Sequence, residues 1–253
     1  MRCAVIGLGE AGSAYAAGLA GAGHEVRGVD PKPVATPAGV KRVETIAEAV
    51  GGAAAVLVLT ESAAAPGVAR EAVPHLSPGA CYADLTSSGP PTMAELGALV
   101  AGSGALFVDV AILGPMPVAG SRTALMLAGP GSALMAGLAA DLGAPAEETD
   151  GGPGAAMAHK LIRSVFLKGL AGIVWEATTA GRAAGWEDWI RGQIAAELAD
   201  GQAAIDRLLT GTAKHAARRA HEMESATEYL AHLGVPNELC DATTRVHTRI
   251  AGT

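Results

Sequence analysis

A short apolar run, Cys3-Ala4-Val5-Ile6, leads straight into Gly7-Leu8-Gly9-Glu10-Ala11-Gly12. Three glycines spaced G-x-G-x-x-G meet three separate physical demands. The first permits a tight turn after a strand. The second lets backbone approach a pyrophosphate, and the third lets the next helix pack closely on the strand. That helix then aims free N–H groups and a partial positive charge at the phosphates. With 34 glycines in 253 residues a chance match is easy to find, so context decides. Here a helical run, Ala11 to Ala22, follows the glycines. A second strand, Glu25–Val29, ends on Asp30. An acid about 20 residues past the glycines is the group that binds a ribose 2′-hydroxyl. The sequence therefore predicts a dinucleotide site on Gly7, Leu8, Gly9, Glu10, Ala11, Gly12 and Asp30.

The first part of the chain alternates short apolar runs with helical stretches. Candidate strands are Arg2–Ile6, Glu25–Val29, Ala55–Leu59, Ala80–Ala83, Ala105–Val110 and Ala124–Ala128. Helical stretches lie near Ala11–Ala22, Ile46–Val50, Pro66–His75, Thr92–Ala101 and Ser132–Leu142. This alternation implies βαβ units in a doubly wound, mostly parallel sheet, with ligands at the carboxyl ends of its strands. The breaker-rich segment Glu147 to Gly154 suits a boundary. Beyond it no strand is evident. One long helix is expected over Ala155–Ala184, then helices near Trp186–Leu209, Ala213–Leu233 and Asn237–Ile250. The expected organisation is an α/β dinucleotide-binding domain, residues 1–152, followed by an all-α domain, residues 153–253.

Composition excludes several classes. The net charge is −7 with no Lys/Arg run, which argues against nucleic acid. Cys3, Cys81 and Cys240 match no metal or redox spacing, so no metal site and a reducing cytoplasm are expected. Glu10 and the glycines interrupt any signal-peptide core, and Gly129-Pro130-Gly131 divides the uncharged stretch Thr123–Ala140 into pieces too short to span a bilayer. No membrane association is expected.

Four further constellations can carry chemistry. Thr86-Ser87-Ser88-Gly89-Pro90 follows a strand, where its hydroxyls either meet a ligand or cap the next helix. Asp109 through Pro117 leaves another strand with two prolines flanking Met116, which predicts a stiff, extended backbone. Lys160 and Ser164 share a face near the start of the long helix. A lysine there is disfavoured by the helix dipole, and such a lysine can move a proton to or from an oxygen. His215, Arg218 or Arg219, and Glu222 fall on one helical face, suited either to an anionic substrate or to a solvated surface.

The order of these motifs resembles the β-hydroxyacid dehydrogenase superfamily, which includes 6-phosphogluconate and 3-hydroxyisobutyrate dehydrogenases. The resemblance spans nearly the whole chain. Gly7 to Gly12 looks like that family's G-L-G-x-M-G, and Asp84 to Pro90 is similar to its D-x-S-T-x-x-P. Asp109 to Pro115 corresponds in part to D-A-P-V-S-G-G, and Ala156 to Ser164 to G-x-x-x-K-x-x-x-N. Leu113 stands where the family has a substrate-binding serine, although Gly114 keeps the next glycine, and Ser164 stands where asparagine is usual. The stretches around Lys160–Leu170 and His215–Met223 look like a phosphogluconate-dehydrogenase-like branch whose C-terminal domain has no assigned role.

The resemblance implies a Rossmann domain and an NAD(P)-dependent oxidoreductase interconverting a small hydroxy acid and its oxo acid. It makes Lys160 the proton carrier and Leu59, Thr60 and Thr86 cofactor neighbours. It makes Thr86, Ser87, Ser88, Gly114, Ser164, His215 and Arg219 the candidate contacts for an anionic substrate. Asp30 favours NAD, while Arg27, Lys32, Lys41 and Arg42 nearby keep NADP as the alternative. An imine reductase on the same fold is a rival reading, although those enzymes usually replace the lysine. A non-catalytic NAD(P)-sensing protein is another. A long helix with small-residue faces in a domain of only about 100 residues implies a homodimer.

Overall fold

Segments such as Ala55-Val56-Leu57-Val58 are apolar without alternation because both of their faces are covered. In the computed structural model, which describes residues 1–252, the chain forms two compact units. The first is Met1–Arg163, and the second begins at Ser164, so the division falls within one long helix.

The first unit holds β1 (Arg2–Ile6), β2 (Glu25–Val29), β3 (Val40–Arg42), β4 (Ala55–Val58), β5 (Cys81–Asp84), β6 (Leu106–Ile112), β7 (Leu125–Ala128) and β8 (Ala146–Glu148). They make one sheet in the order β3-β2-β1-β4-β5-β6-β7-β8. Every neighbouring pair is parallel except β6 with β7. The direction of winding reverses between β1 and β4, which opens a crevice at the carboxyl ends of those two strands. The helices are α1 (Glu10–Gly21), α2 (Ile46–Val50), α3 (Ala65–Ala72), α4 (Pro90–Ala101), α5 (Met116–Ala119) and α6 (Ser132–Asp141). Tyr15 and Leu19 of α1 and Met135 and Leu138 of α6 pack on one face of the sheet. Val50, Ala69, Met93 and Leu96 from α2, α3 and α4 pack on the other. Each large side chain so buried contributes about 1.5–3 kcal/mol relative to exposure. Only Tyr82, Phe107 and Tyr15 supply aromatic bulk to this core, so it is built mainly from aliphatic side chains and closely approaching backbone.

Two edge strands, β3 and β8, escape the sequence reading. Each is three residues long and at least partly exposed, so neither shows a burial pattern. The extended segment expected around Pro115-Met116-Pro117 is instead the short helix α5, because a proline fits the first turn of a helix as readily as an extended chain.

The second unit is helical: the remainder of α7 (Ala155–Ala183), then α8 (Glu187–Ala199), α9 (Gly201–His232) and α10 (Glu238–Ala251). Gly172 lets α10 approach, since a Cβ there would lie 2.9 Å from Leu239, and Gly181 does the same for Ile190 of α8. Buried Glu176 accepts the backbone N–H groups of Leu239 and Cys240 at 2.9 and 2.8 Å, satisfying the free donors at the start of α10. The expected break near residues 210–212 is absent. The helices divide instead at Asp200, and α9 kinks at His215, whose φ of −126° is not helical.

Candidate functional site

The turn after β1 shows why its glycines are required. Gly7 has φ +93°, and a Cβ on it would lie 2.7 Å from the Leu59 carbonyl oxygen. A Cβ on Gly12 would lie only 1.8 Å from the Gly7 carbonyl oxygen, so α1 seats against the turn at backbone distance. Gly9 has open space where its Cβ would be, and no side chain caps the first turn of α1. Its N–H groups are left for a ligand.

A cavity of about 570 Å3 opens beside this turn, lined by Gly7, Gly9, Asp30, Leu59 and Thr60 among others. Asp30 shapes its rim. Its carboxylate accepts Leu8 N–H at 2.7 Å and Lys32 N–H at 2.8 Å, and a carboxylate has lone pairs to accept more. Leu8 itself is a core residue, and its N–H is engaged with Asp30. Glu10 is exposed in the first turn of α1. The Arg42 guanidinium donates to the carbonyls of Val34, Asp30 and Lys32 at 2.7–2.8 Å, so it clamps the loop after β2. Arg27 donates to the Glu48 and Gly51 carbonyls. Glu44, Glu61 and Glu71 join Asp30 on the cavity wall, against Lys32, which pairs with Glu61 at 3.3 Å.

A second, smaller cavity of about 280 Å3 lies at the carboxyl ends of β4, β5 and β6. Its walls include Ala11, Leu59, Thr60, Thr86, Ser87, Gly114, Met116 and Lys160. Leu59 and Thr60 line both cavities. The structure thus brings together Lys160, Thr86, Ser87 and Gly114, which come from distant parts of the sequence. Ser87 is exposed, whereas Thr86 is buried with its N–H held by Asp84 Oδ1 at 2.9 Å. Ser88 is buried and does not line the cavity. Its hydroxyl lies 2.8 Å from that of Thr86 and 3.5 Å from the Ser62 carbonyl. None of these hydroxyls caps α4, whose N-cap is Gly89. Leu113 packs against the cluster of Ala111, Ala128 and Ala156, whereas its neighbours Ile112 and Gly114 line the cavity.

The start of α7, which carries Lys160, is anchored from β6. Asp109 Oδ2 accepts the N–H groups of Gly154 and Met157, both at 3.0 Å. Burial pushes the Asp109 carboxyl above the usual range, and these N–H groups together with the Lys160 charge pull it back. Asp84 and Asp109 lie within sequence motifs that assign them no role. The signal was present: a lone acid inside an apolar strand, as in Leu106-Phe107-Val108-Asp109-Val110, must find partners when buried.

Ser164, His215 and Arg219 belong to the second unit. Ser164 is half-buried, and Arg219 donates to the Thr212 hydroxyl at 2.8 Å. His215 is exposed at the kink of α9, so the single regular face expected for His215, the arginines and Glu222 is interrupted. Arg218 pairs with Glu222. Among the described residues no group of His, Cys, Asp and Glu could hold a metal, and no helix is long and apolar enough to cross a membrane.

Residues 2–140 match the NAD binding domain of 6-phosphogluconate dehydrogenase, and residues 182–250 match a domain of unknown function, DUF1932. No curated protein sequence matches the chain. A conserved hypothetical protein from Sinorhizobium meliloti 1021 is 30% identical, over 98% of this chain and 87% of that one, with a TM-score of 0.65. A conserved protein of unknown function, described as structurally similar to 3-hydroxyacid dehydrogenases, is 25% identical over 99% and 96%, with a TM-score of 0.67. An imine reductase from Streptomyces aurantiacus shares the fold, at 20% identity over 98% and 94% and a TM-score of 0.79. The glycine turn, the crevice between β1 and β4 and the family match agree, and the chain belongs to the NAD(P)-dependent oxidoreductases of the 6-phosphogluconate dehydrogenase-like family.

Proposed function

We propose that the chain interconverts a small hydroxy acid and its oxo acid, with Lys160 as the proton carrier. The observation that carries this reading is the shared lining. Leu59 and Thr60 border both the glycine-turn cavity and the one holding Lys160, Thr86, Ser87 and Gly114. A dinucleotide lying along the strand ends is thereby brought beside a cationic donor. Bound NAD(H) supplies or accepts the hydride. Lys160 donates its proton to the carbonyl oxygen during reduction and takes the hydroxyl proton during oxidation. Ser87 and Gly114 hold the substrate's anionic end.

The cofactor is NAD(H) in preference to NADP(H). Four acids, Asp30, Glu44, Glu61 and Glu71, line the first cavity and repel a 2′-phosphate. The arginines that would bind one are engaged with backbone carbonyls. NADH is expected to bind at least about tenfold more tightly than NADPH, and Asp30→Ala to narrow that ratio. Titration of protein fluorescence with each nucleotide reads the two affinities. Equal or tighter NADPH binding would contradict the preference.

The imine reductase and the reductive aminase from Aspergillus terreus, the latter crystallised with NADPH, cyclohexanone and allyl amine, make imine reduction the competing chemistry. Lys160 is what favours oxo acids here. NADH consumption with 2-oxo acids supports the proposal, and consumption with cyclic imines alone would replace it. Tight NAD(H) binding with neither activity would make the protein a cofactor sensor. Cys3, Cys81 and Cys240 are unpaired, which suits a reducing cytoplasm.

The second unit carries the case for a homodimer. Trp175, Trp189 and Phe166 are 75%, 63% and 62% exposed, and Trp186 and Trp189 border an apolar groove of about 580 Å3. Patches of this kind mark interaction surfaces. Light scattering at micromolar concentration is expected to give twice the chain mass. A monomer would contradict it.

A further inference from the structure

Two carboxyl groups are buried opposite one another on neighbouring strands, and one oxygen of each lacks a partner. Asp84 and Asp109 are opposite one another on the parallel strands β5 and β6. Two residues earlier the same register brings Tyr82 against Phe107, whose rings stack 6.0 Å apart. Side chains two residues apart share a face of the sheet, so the two acids form the next rung of that ladder. Both are completely buried. Asp84 Oδ1 accepts the Thr86 N–H, and Asp109 Oδ2 accepts those of Gly154 and Met157. Asp84 Oδ2 and Asp109 Oδ1 have no hydrogen-bond partner.

Two bare carboxylates buried opposite one another on neighbouring strands repel and leave two acceptors dry. One proton removes both faults, because the hydroxyl of one acid then donates to the free oxygen of the other. Burial raises both acids, but they are not equivalent. Asp109 has the N–H groups of α7 and the Lys160 charge to hold its negative form; the hydrogen bonds of Thr86 hold that of Asp84, but the charge of Asp109 drives Asp84 up. The Tyr82 phenol is also in electrostatic contact with Asp84, and burial keeps it neutral.

We propose that Asp84 and Asp109 hold one proton between their unpartnered oxygens, Asp84 donating and Asp109 remaining the anion, and that this bond ties the Thr86 wall of the cavity to the Lys160 wall. Asp84 fixes Thr86, and Asp109 fixes the turn of α7 from which Lys160 follows. Both acids are positioning residues, acting through Thr86 and Lys160. That role rests on the reading of Lys160 given above, whereas the shared proton does not.

The test uses the whole chain labelled with 13C at aspartate carboxyls. One signal is expected to keep the protonated shift from about pH 6 to pH 8 and to vanish in Asp84→Asn. Ionised shifts for every aspartate across that range would overturn the proposal. In turnover, Asp84→Ala is expected to lower kcat about tenfold with little change in the KM for NADH. Asp84→Asn, whose amide donates the same bond, should restore most of that loss. An Asn variant as impaired as Ala would refute the tie. If no oxo acid is turned over, the carboxyl signal still decides the proton, so failure of the catalytic reading and failure of the pair are distinguishable.

Discussion

Lys160→Met is expected to lower kcat by about 10²-fold or more while leaving NAD(H) affinity within about twofold. The methionine keeps an unbranched stem of similar volume in the cavity and removes the only side chain there that carries a proton as a cation. A hundredfold loss corresponds to about 3 kcal/mol of barrier. The fold should scarcely notice. A lysine near a helix N-terminus opposes the dipole, and the Asp109 bonds that anchor α7 come from backbone N–H groups, which the substitution leaves in place. Single-turnover oxidation of NADH, read by its fluorescence, separates the chemical step from binding. Turnover at the wild-type rate would remove Lys160 from the chemistry.

Gly12→Ala is expected to damage folding and cofactor binding together. The added methyl would lie 1.8 Å from the Gly7 carbonyl oxygen, which is backbone and cannot rotate away. Either α1 moves off the strand or the turn opens, and both displace the N–H groups that meet the pyrophosphate. Overpacking of this severity costs roughly 3 kcal/mol, a fall in Tm on the order of 10 °C. The contrast with Gly9 is informative, because its side is open and Gly9→Ala should fold normally and lose affinity alone. Calorimetry of both variants, with and without NAD(H), reads the two effects. A Gly12→Ala protein with wild-type Tm and affinity would contradict the close seating of α1.

The same packing explains what the sequence made legible. The β1–turn–α1 unit was readable because glycine spacing and an unbroken apolar run report backbone contact and two-sided burial. α7 was readable because a long apolar stretch opens behind Gly151-Gly152-Pro153-Gly154. Strands β3 and β8 were not, since three edge residues carry no periodicity. The kink at His215 has neither proline nor glycine at the residue itself to announce it. Within the site, the sequence distinguished poorly between adjacent hydroxyls. Ser87 faces outward, and Ser88 turns inward to Thr86 and Ser62, a choice made by the bend after β5. Leu113 turns into an alanine cluster and leaves the cavity unfilled. Asp84 and Asp109 acquire a role only when parallel strands set them opposite each other, which no local pattern records.

The proposed reaction requires cofactor and substrate to meet in the cavity lined by Leu59, Thr60 and Lys160. A crystal structure of the whole chain with NAD+ and a small hydroxy acid tests it most directly. The nicotinamide is expected beside Leu59 and Thr60, with the substrate hydroxyl within about 3 Å of Lys160 Nζ. A nicotinamide outside that cavity, or a hydroxyl more than about 6 Å from Lys160 Nζ, beyond direct or one-water proton transfer, would contradict the claim.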